Sequence, residues 1–254
     1  MSTLLADSLT IVRRDVIRTL RQKSQIYGSI ARPLVWLFLL GNGLRGSFTA
    51  LPGRVNYVQF IFPGMLAMNV LFASIMAGTS IIWDREFGFL KEIMVAPVSR
   101  VSIVIGKTVS GSVNALLQGT IVLSFFPLLG LRLTPLQILL TILGMWLMAL
   151  AICALGVLIA SRMTSFEGFG TVNNFVVMPL FFLSGAMYPI HNLPHWLTFL
   201  VHANPVTYGV NLLRGVVLRL PGNHLLSIAV ILLFTMLVSS VSVFLFSLEG
   251  KGNK

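Results

Sequence analysis

Long apolar runs without a charged residue decide what this chain can fold into. Of its 254 residues, 56% are hydrophobic and only 10% are charged, whereas a soluble domain carries about 25% charged residues. An uncharged run of roughly 18 or more apolar residues predicts a transmembrane helix, because an α-helix satisfies its own backbone polar groups in lipid. We therefore predict an all-α membrane protein rather than a soluble domain with a large helical core.

Six runs are predicted to cross the membrane: residues 28–47, 58–82, 108–131, 136–160, 171–188 and 225–246. Six crossings place both termini on the same side. When that side is taken as cytoplasmic, thirteen of the 18 Lys and Arg residues lie inside, as the positive-inside rule requires. The net charge of +11 is then explained by orientation and by contact with anionic lipid, not by nucleic-acid binding. The second run carries small residues, Ser74, Ala77 and Gly78 among them, which favour close helix packing.

Residues 1–27 are predicted to form an amphipathic N-terminal helix. Its apolar positions recur at spacings of three and four and are Leu5, Leu9, Val12, Val16 and Leu20. Arginines line another face, a pattern typical of a helix lying in the membrane interface. A solvated helix packed on a partner is the alternative. Residues 1–23 lack the long apolar stretch of a cleavable signal peptide.

A charged segment separates the second and third predicted spans. We predict a cytoplasmic helix over residues 84–97, ended by Pro97. Its apolar stripe contains Phe87, Leu90 and Met94, and its charged positions are Asp84, Arg85, Glu86, Lys91 and Glu92. Such a stripe on a short loop can dock in a groove of a partner protein; the alternative is that it lies on the membrane surface.

Residues 189–223 are too polar and too broken by proline to span. Pro189, Pro194 and Pro205 divide the region into two short segments, 193–203 and 205–218. Asn204 is a good N-cap and Pro205 suits a first helical turn. We predict two short external helices that re-enter the outer leaflet, where irregular backbone must be buried in protein or face water.

Several kinds of chemistry are not favoured by the pattern. No acidic or basic residue is predicted in the middle of a span, which disfavours a proton-coupled carrier, although sodium coupling remains open. Gly106-Lys107-Thr108 looks like the end of a phosphate-binding loop, but Val101 stands where that motif needs glycine. The predicted external side holds histidines and no acids, so a catalytic triad or metal site is not predicted. The single cysteine, Cys153, excludes an internal disulfide.

Two stretches together resemble the ABC-2 type transporter permeases. The first runs from Arg85-Glu86 through Lys91-Glu92 to Ala96-Pro97-Val98-Ser99-Arg100 and Gly106-Lys107. The second is PLFFLSGAMYPIHNLP at 179–194, followed by Asn204-Pro205-Val206-Thr207-Tyr208 and Leu213-Arg214. The likeness covers nearly the whole chain and is strongest to the branch of daunorubicin-type drug exporters and nodulation-factor exporters.

The resemblance implies a single six-span domain over residues 1–254 that works as a dimer, here a homodimer, in the bacterial cytoplasmic membrane. It implies two copies of a separate ATPase subunit, which would bind the ATP and Mg, since this chain has no ATPase domain, catalytic residue, cofactor or metal of its own. The coupling helix would be Asp84, Arg85, Glu86, Phe87, Leu90, Lys91, Glu92, Met94 and Pro97. The external gate would contain Pro189, Pro194, Asn204, Pro205, Tyr208 and Arg214.

The implied function is export of an amphipathic substrate out of the cytoplasm. Drugs, lipids and lipo-oligosaccharides all fit, because the predicted path has apolar walls and no ion-binding groups. Two alternatives remain: an ATP-independent secondary carrier or channel, and a membrane enzyme acting on lipid.

Overall fold

The described part of the chain is helical throughout. The computed structural model describes residues 10, 12–15, 17, 23–43, 55–87, 99–163, 165–190 and 193–249, and these residues contain no strand. Its helices are α1 (Lys23–Gly43), α2 (Tyr57–Ile75), α3 (Ala77–Glu86), α4 (Arg100–Leu123), α5 (Pro135–Ser161), α6 (Phe166–Phe182), α7 (His195–Ala203), α8 (Pro205–Leu218) and α9 (His224–Glu249), with a 3-10 turn at Phe126–Leu129. The all-α prediction is confirmed.

Three helical segments of the described residues are long and apolar enough to cross a membrane. They are α2 with α3 (Tyr57–Glu86), α5 (Pro135–Ser161) and His224–Ser247 of α9. The other predicted spans fall on α1, α4 and α6. α1 begins at Lys23, before the predicted start of its span at residue 28, and Pro33 lies inside the helix. The chain is thus a multi-pass membrane protein.

Local sequence signals set where several helices begin. Before α5, Thr134 Oγ1 accepts a hydrogen bond from the Gln137 amide, Gln137 Oε1 accepts one from the Thr134 amide, and Pro135 occupies the first turn. Before α6, Ser165 Oγ accepts from the Gly168 amide. Each side chain pairs a backbone N–H that the first helical turn cannot pair itself.

Side-chain contacts show that successive long helices alternate in direction. At one end of the bundle, Gln59 of α2 donates to the Leu129 carbonyl beyond α4, and Gln137 of α5 donates to the Val216 carbonyl of α8. At the opposite end, Arg85 of α3 donates to the Ser161 carbonyl that closes α5. We call these the Tyr57 end and the Asp84 end.

The core is built around α2. Residues 60–71 of that helix are buried without exception, and they pack against α1, α4, α5 and α8. A smaller apolar cluster at the Asp84 end joins Ile81 and Ile82 of α3 to Val157 of α5 and Phe169 of α6. α9 instead leaves most of its apolar surface exposed, as a helix facing lipid would.

Glycines bring the α2–α3 segment very close to α5. A Cβ atom on Gly156 would lie 2.7 Å from the Ile75 carbonyl oxygen, and one on Gly78 would lie 2.4 Å from the Gly156 carbonyl oxygen. Both separations are shorter than any normal contact. Since helices in lipid associate by close packing of small residues, this contact fixes α3 against α5 just where α2 ends, at Ile75.

We expect Gly156→Ala to destabilise the protein by about 1–2 kcal/mol. The methyl group overpacks a backbone contact at a cost of roughly 1–3 kcal/mol, which outweighs the gain in helix propensity of up to about 1 kcal/mol. Thermal unfolding in detergent can be followed with a thiol-reactive dye, because the single cysteine, Cys153, is buried. Gly170→Ala is the control, since its Cβ would meet nothing within 4 Å; equal melting temperatures for both variants would contradict this packing.

Candidate functional site

The end of α3 is anchored on one side and exposed at its tip. The Arg85 guanidinium donates to the carbonyls of Met163 and Ser161, the latter at 3.0 Å. The Trp83 ring stacks on the Phe87 ring with centroids 4.9 Å apart. Glu86 and Phe87 are exposed, the phenyl ring by 67%. The fold therefore fixes the end of α3 and leaves the Glu86 carboxylate and the Phe87 ring exposed at its tip.

The predicted coupling residues occupy different environments. Asp84, Arg85 and Glu86 form the last turn of α3, which begins at Ala77. The Asp84 side chain is buried inside the bundle, whereas Glu86 and Phe87 face outward. The remaining predicted coupling residues, Leu90, Lys91, Glu92, Met94 and Pro97, lie outside the described residues. A docking helix over 84–97 therefore stays a prediction.

A buried group of charges joins three parts of the chain at the Asp84 end. Lys107 Nζ of α4 lies 2.9 Å from Asp15 Oδ2 and 2.6 Å from Asp84 Oδ2, and it donates to Ser80 Oγ at 3.2 Å. Ser110 Oγ also donates to Asp15 Oδ2, at 3.4 Å. Lys107 is 2% exposed and each aspartate is 5% exposed. We call Asp15, Asp84 and Lys107 the buried ion cluster.

Arg14 covers this cluster and balances its charge. Its Nη2 lies 2.9 Å from Asp84 Oδ2 and 3.1 Å from Asp15 Oδ1. Partial burial works against the guanidinium charge, but the carboxylates of Asp84 and Asp15 outweigh it and raise the pKa of Arg14. Two cations thus meet two anions. Removing one partner of a buried pair costs about 3–5 kcal/mol, because the other charge is left without compensation.

The sequence pattern does not predict this cluster. Lys107 stands just ahead of the predicted span that starts at residue 108, but α4 begins at Arg100, so Lys107 lies in the interior of that helix. The predicted start of this segment at residue 108 is therefore eight residues too late, and Lys107 belongs to the helix itself. One signal was available: Lys107 stands alone in an otherwise uncharged stretch from Val101 to Leu131.

The region beyond α6 contains two short helices, α7 and α8, close to the predicted segments 193–203 and 205–218, while their external, re-entrant placement stays a prediction. Pro194 precedes α7, and Asn204 precedes α8 with Pro205 in the first turn. The Asn204 Oδ1 accepts from the Val206 amide at 2.9 Å, while its Nδ2 donates to the Leu180 carbonyl at 2.6 Å. Tyr208 Oη donates to the His202 carbonyl at 3.0 Å. Asn204 therefore caps α8 and ties it to the end of α6.

Arg214 and Tyr57 hold the turn that follows α6. Arg214 Nη2 donates to the carbonyls of Gly185 and Ala186 at 2.9 and 3.1 Å, and its guanidinium lies 4.1 Å from the centroid of the Phe60 ring. Burial lowers the pKa of Arg214 to about 10, which leaves it charged at neutral pH. Tyr57 Oη donates to the Met187 carbonyl at 3.1 Å. Of the other predicted gate residues, Pro189 lies just past this turn.

A cavity of about 680 Å³ lies between α1, α2, α4 and α6, and its described lining residues carry no charge. Its apolar lining includes methionines and aromatic rings, and its polar lining consists of carboxamides. The lining residues are Gly28, Pro33, Trp36, Met68, Asn69, Phe72, Ala73, Met76, Gln118, Asn173, Asn174, Met178, Phe181, Phe182 and Met187. A cavity of this size and character suits an amphipathic molecule of drug size.

We expect Asn204→Ala to destabilise the protein by about 2–4 kcal/mol. The substitution removes an N-cap, typically worth about 1 kcal/mol, and leaves a carbonyl of α6 without its donor at a cost of roughly 1–3 kcal/mol. Thermal unfolding in detergent measures the change. Asn223→Ala is the matched control, because Asn223 Oδ1 accepts from the Leu226 amide at the exposed start of α9; it should cost about 1 kcal/mol or less. Equal losses would show that the link to Leu180 contributes nothing.

Comparison with known proteins gives one consistent result. Residues 7–218 match the family described as ABC-2 type transporter. The chain is 30% identical over 217 residues to a protein of Cyanophora paradoxa named as a transport permease, ycf38, with 83% of this chain and 73% of the relative covered. It is 27% identical to nodulation protein J of Rhizobium meliloti (strain 1021), with 79% and 77% covered. It is 29% identical to a protein of Escherichia coli (strain K12) named as a multidrug ABC transporter permease, YbhR, with 65% and 45% covered.

Proposed function

Because this chain belongs to the ABC-2 type transporter family, whose members are membrane transport subunits, we propose that it is the permease subunit of an ATP-driven exporter. Two copies of the chain form the path, and two copies of a separate ATPase subunit bind ATP and Mg and supply the energy. The family match over residues 7–218 is the observation that carries this proposal.

The proposed topology has six spans and both termini in the cytoplasm. Three of the six proposed spans are the long apolar segments α2–α3, α5 and α9. The other three are α1, α4 and α6. The Asp84 end is then the cytoplasmic end, since Arg14, Arg85, Lys107 and Arg162 all lie there or next to it. This orientation follows the positive-inside rule, and the bacterial cytoplasmic membrane is the proposed location.

The ATPase subunit is proposed to bind at the tip of α3 and the segment that follows it. The exposed Glu86 and Phe87 support this assignment, because an aromatic ring and a charge beside it suit a groove in a partner protein. Arg85 joins the same turn to the end of α5. A force applied at Phe87 is therefore transmitted to the helical bundle.

The proposed cargo is amphipathic, for example a drug, a lipid or a lipo-oligosaccharide. Among the residues that the structure describes, none that lines the cavity between α1 and α6 carries a charge, and the carboxamides of the lining offer both donors and acceptors. One relative is named for nodulation and another as a multidrug permease. A neutral body with hydrogen-bonding groups therefore fits the cavity better than an ion.

In the proposed cycle, closure of the two ATPase subunits moves α3 as a lever. Met76 lies where α2 gives way to α3, and it also lines the cavity. Movement of α3 relative to α2 would therefore change the cavity wall. Release occurs at the Tyr57 end, beneath α7 and α8, with Asn204, Tyr208 and Arg214 holding the parts of the outer gate together.

We expect the double variant Glu86→Ala/Phe87→Ala to lose most of the bound ATPase, by roughly tenfold or more, when the tagged chain is purified from its native membrane. Removing the ring and the charge takes away the exposed contacts at the tip of α3, while no buried group is disturbed. Phe199→Ala is the control, since Phe199 is 73% exposed but lies on α7 at the opposite end. Recovery of the wild-type protein with no ATPase would contradict the proposed function itself.

We expect Ala73→Trp to weaken binding of Nile red, an uncharged amphipathic dye, by about tenfold, which corresponds to about 1.4 kcal/mol. The indole would occupy the cavity that Ala73 lines. Fluorescence titration of the protein in nanodiscs measures the affinity. Ala229→Trp on the exposed face of α9 is the control for non-specific partitioning. Equal binding by both variants and the wild type would show that the dye does not use this cavity.

A further inference from the structure

The buried ion cluster links two parts of the chain that are far apart in sequence. Asp15 belongs to the N-terminal helical segment, of which residues 10, 12–15 and 17 are described, and Asp84 lies in the last turn of α3. Both carboxylates meet the Lys107 ammonium, at 2.9 and 2.6 Å. Within the described part of the chain, Asp15 is buried while Ile17, two residues on, is 42% exposed. The N-terminal segment thus turns the Asp15 carboxylate inward, toward α3 and α4.

Holding two helices together by a buried ion pair costs desolvation free energy. Burying ions requires their removal from water, and apolar residues of similar volume often stabilise a site equally well. A buried ionic contact is, however, specific in position and orientation, because each oxygen must face its donor. Such contacts are well suited to fixing one arrangement of two segments. The position of the cluster, one turn before the exposed Phe87, is where such a fixed arrangement would matter for coupling.

We infer that Asp15 and Lys107 form a latch: their ion pair fixes the N-terminal helix to α3, which leads into the predicted coupling helix. Both elements then move as one unit when the ATPase subunits close. The inference rests on the proposed function and extends it, because the N-terminal helix becomes a second element, besides α3, that the ATPase subunits move. Asp84 and Lys107 hold α3 to α4, and Asp15 adds the N-terminal helix to that pair. Asp15 is a positioning residue, since it acts through Lys107.

The test uses Asp15→Asn, which removes the N-terminal anion and leaves the Asp84–Lys107 pair in place. The ATPase complex is purified in nanodiscs, and limited trypsin digestion follows cleavage after Arg13, Arg18 and Arg21, with and without Mg-ATP plus vanadate. In the wild type, trapping should change the cleavage rate at these sites several-fold. In Asp15→Asn, cleavage should be faster by about tenfold and should no longer depend on trapping.

Two further variants separate positioning from simple stability. Asp15→Glu keeps the carboxylate and should restore the nucleotide dependence of cleavage. Thr108→Val changes a side chain that is 5% exposed and adjacent to Lys107 without altering any charge, and it should behave as wild type. ATP hydrolysis and retention of the ATPase by Asp15→Asn should stay within about twofold of wild type, while ATP-dependent Nile red export falls about tenfold.

The outcomes distinguish this inference from the proposed function. If Asp15→Asn retains its ATPase and shows wild-type export and wild-type cleavage, the latch is wrong and the permease assignment stands. If wild-type cleavage does not respond to trapping although export is ATP-dependent, the N-terminal helix does not move and the inference also fails. If Asp15→Asn does not fold, Lys107→Arg is tested in its place, because it keeps the positive charge. Loss of the nucleotide dependence of cleavage in this variant, although it retains the ATPase, would overturn the latch.

Discussion

The contact of Lys107 with Asp84 and Asp15 gives the Asp84 end of the bundle its arrangement. An ammonium group buried inside a helical bundle is stable only if opposite charges lie next to it. Two carboxylates from separate segments contact Lys107 in this way. Once those partners are fixed, α3, α4 and the N-terminal segment have one relative position. The exposed tip of α3 then emerges from a rigid base.

The α2–α3 segment is held at both of its ends by polar contacts and in its middle by close packing. At the Tyr57 end, Tyr57 and Arg214 bind the carbonyls of the turn after α6. In the middle, Gly78 and Gly156 bring α3 and α5 into backbone contact. Met76 lies between these regions and borders the cavity. A displacement at the Asp84 end therefore has a short physical route to the place where cargo is proposed to bind.

Patterns that depend on neighbouring residues were predictable from the sequence. The helical class, the positions of the long apolar helices, and the two short helices divided at Asn204-Pro205 all follow from hydropathy and capping. The partnership of Asp15 with Lys107 was not predictable, because the two residues are 92 positions apart and only the tertiary structure brings them together. The burial of Asp84 was not predictable for the same reason. Glu86 and Phe87, close to it in sequence, are exposed, and the sequence of a charged segment does not show which side chain turns inward. The cavity likewise depends on how four helices pack.

Flux measured in proteoliposomes distinguishes a permease driven by a separate ATPase from a carrier that works alone. Vesicles are prepared with this chain alone and with the chain and its copurified ATPase. Nile red movement is followed with and without Mg-ATP at zero ion gradient, and again under an imposed proton or sodium gradient. We expect directed movement only when the ATPase and Mg-ATP are both present. Directed movement by the chain alone, driven by the imposed proton or sodium gradient, would rule out the ATP-driven permease and identify a carrier that needs no ATPase.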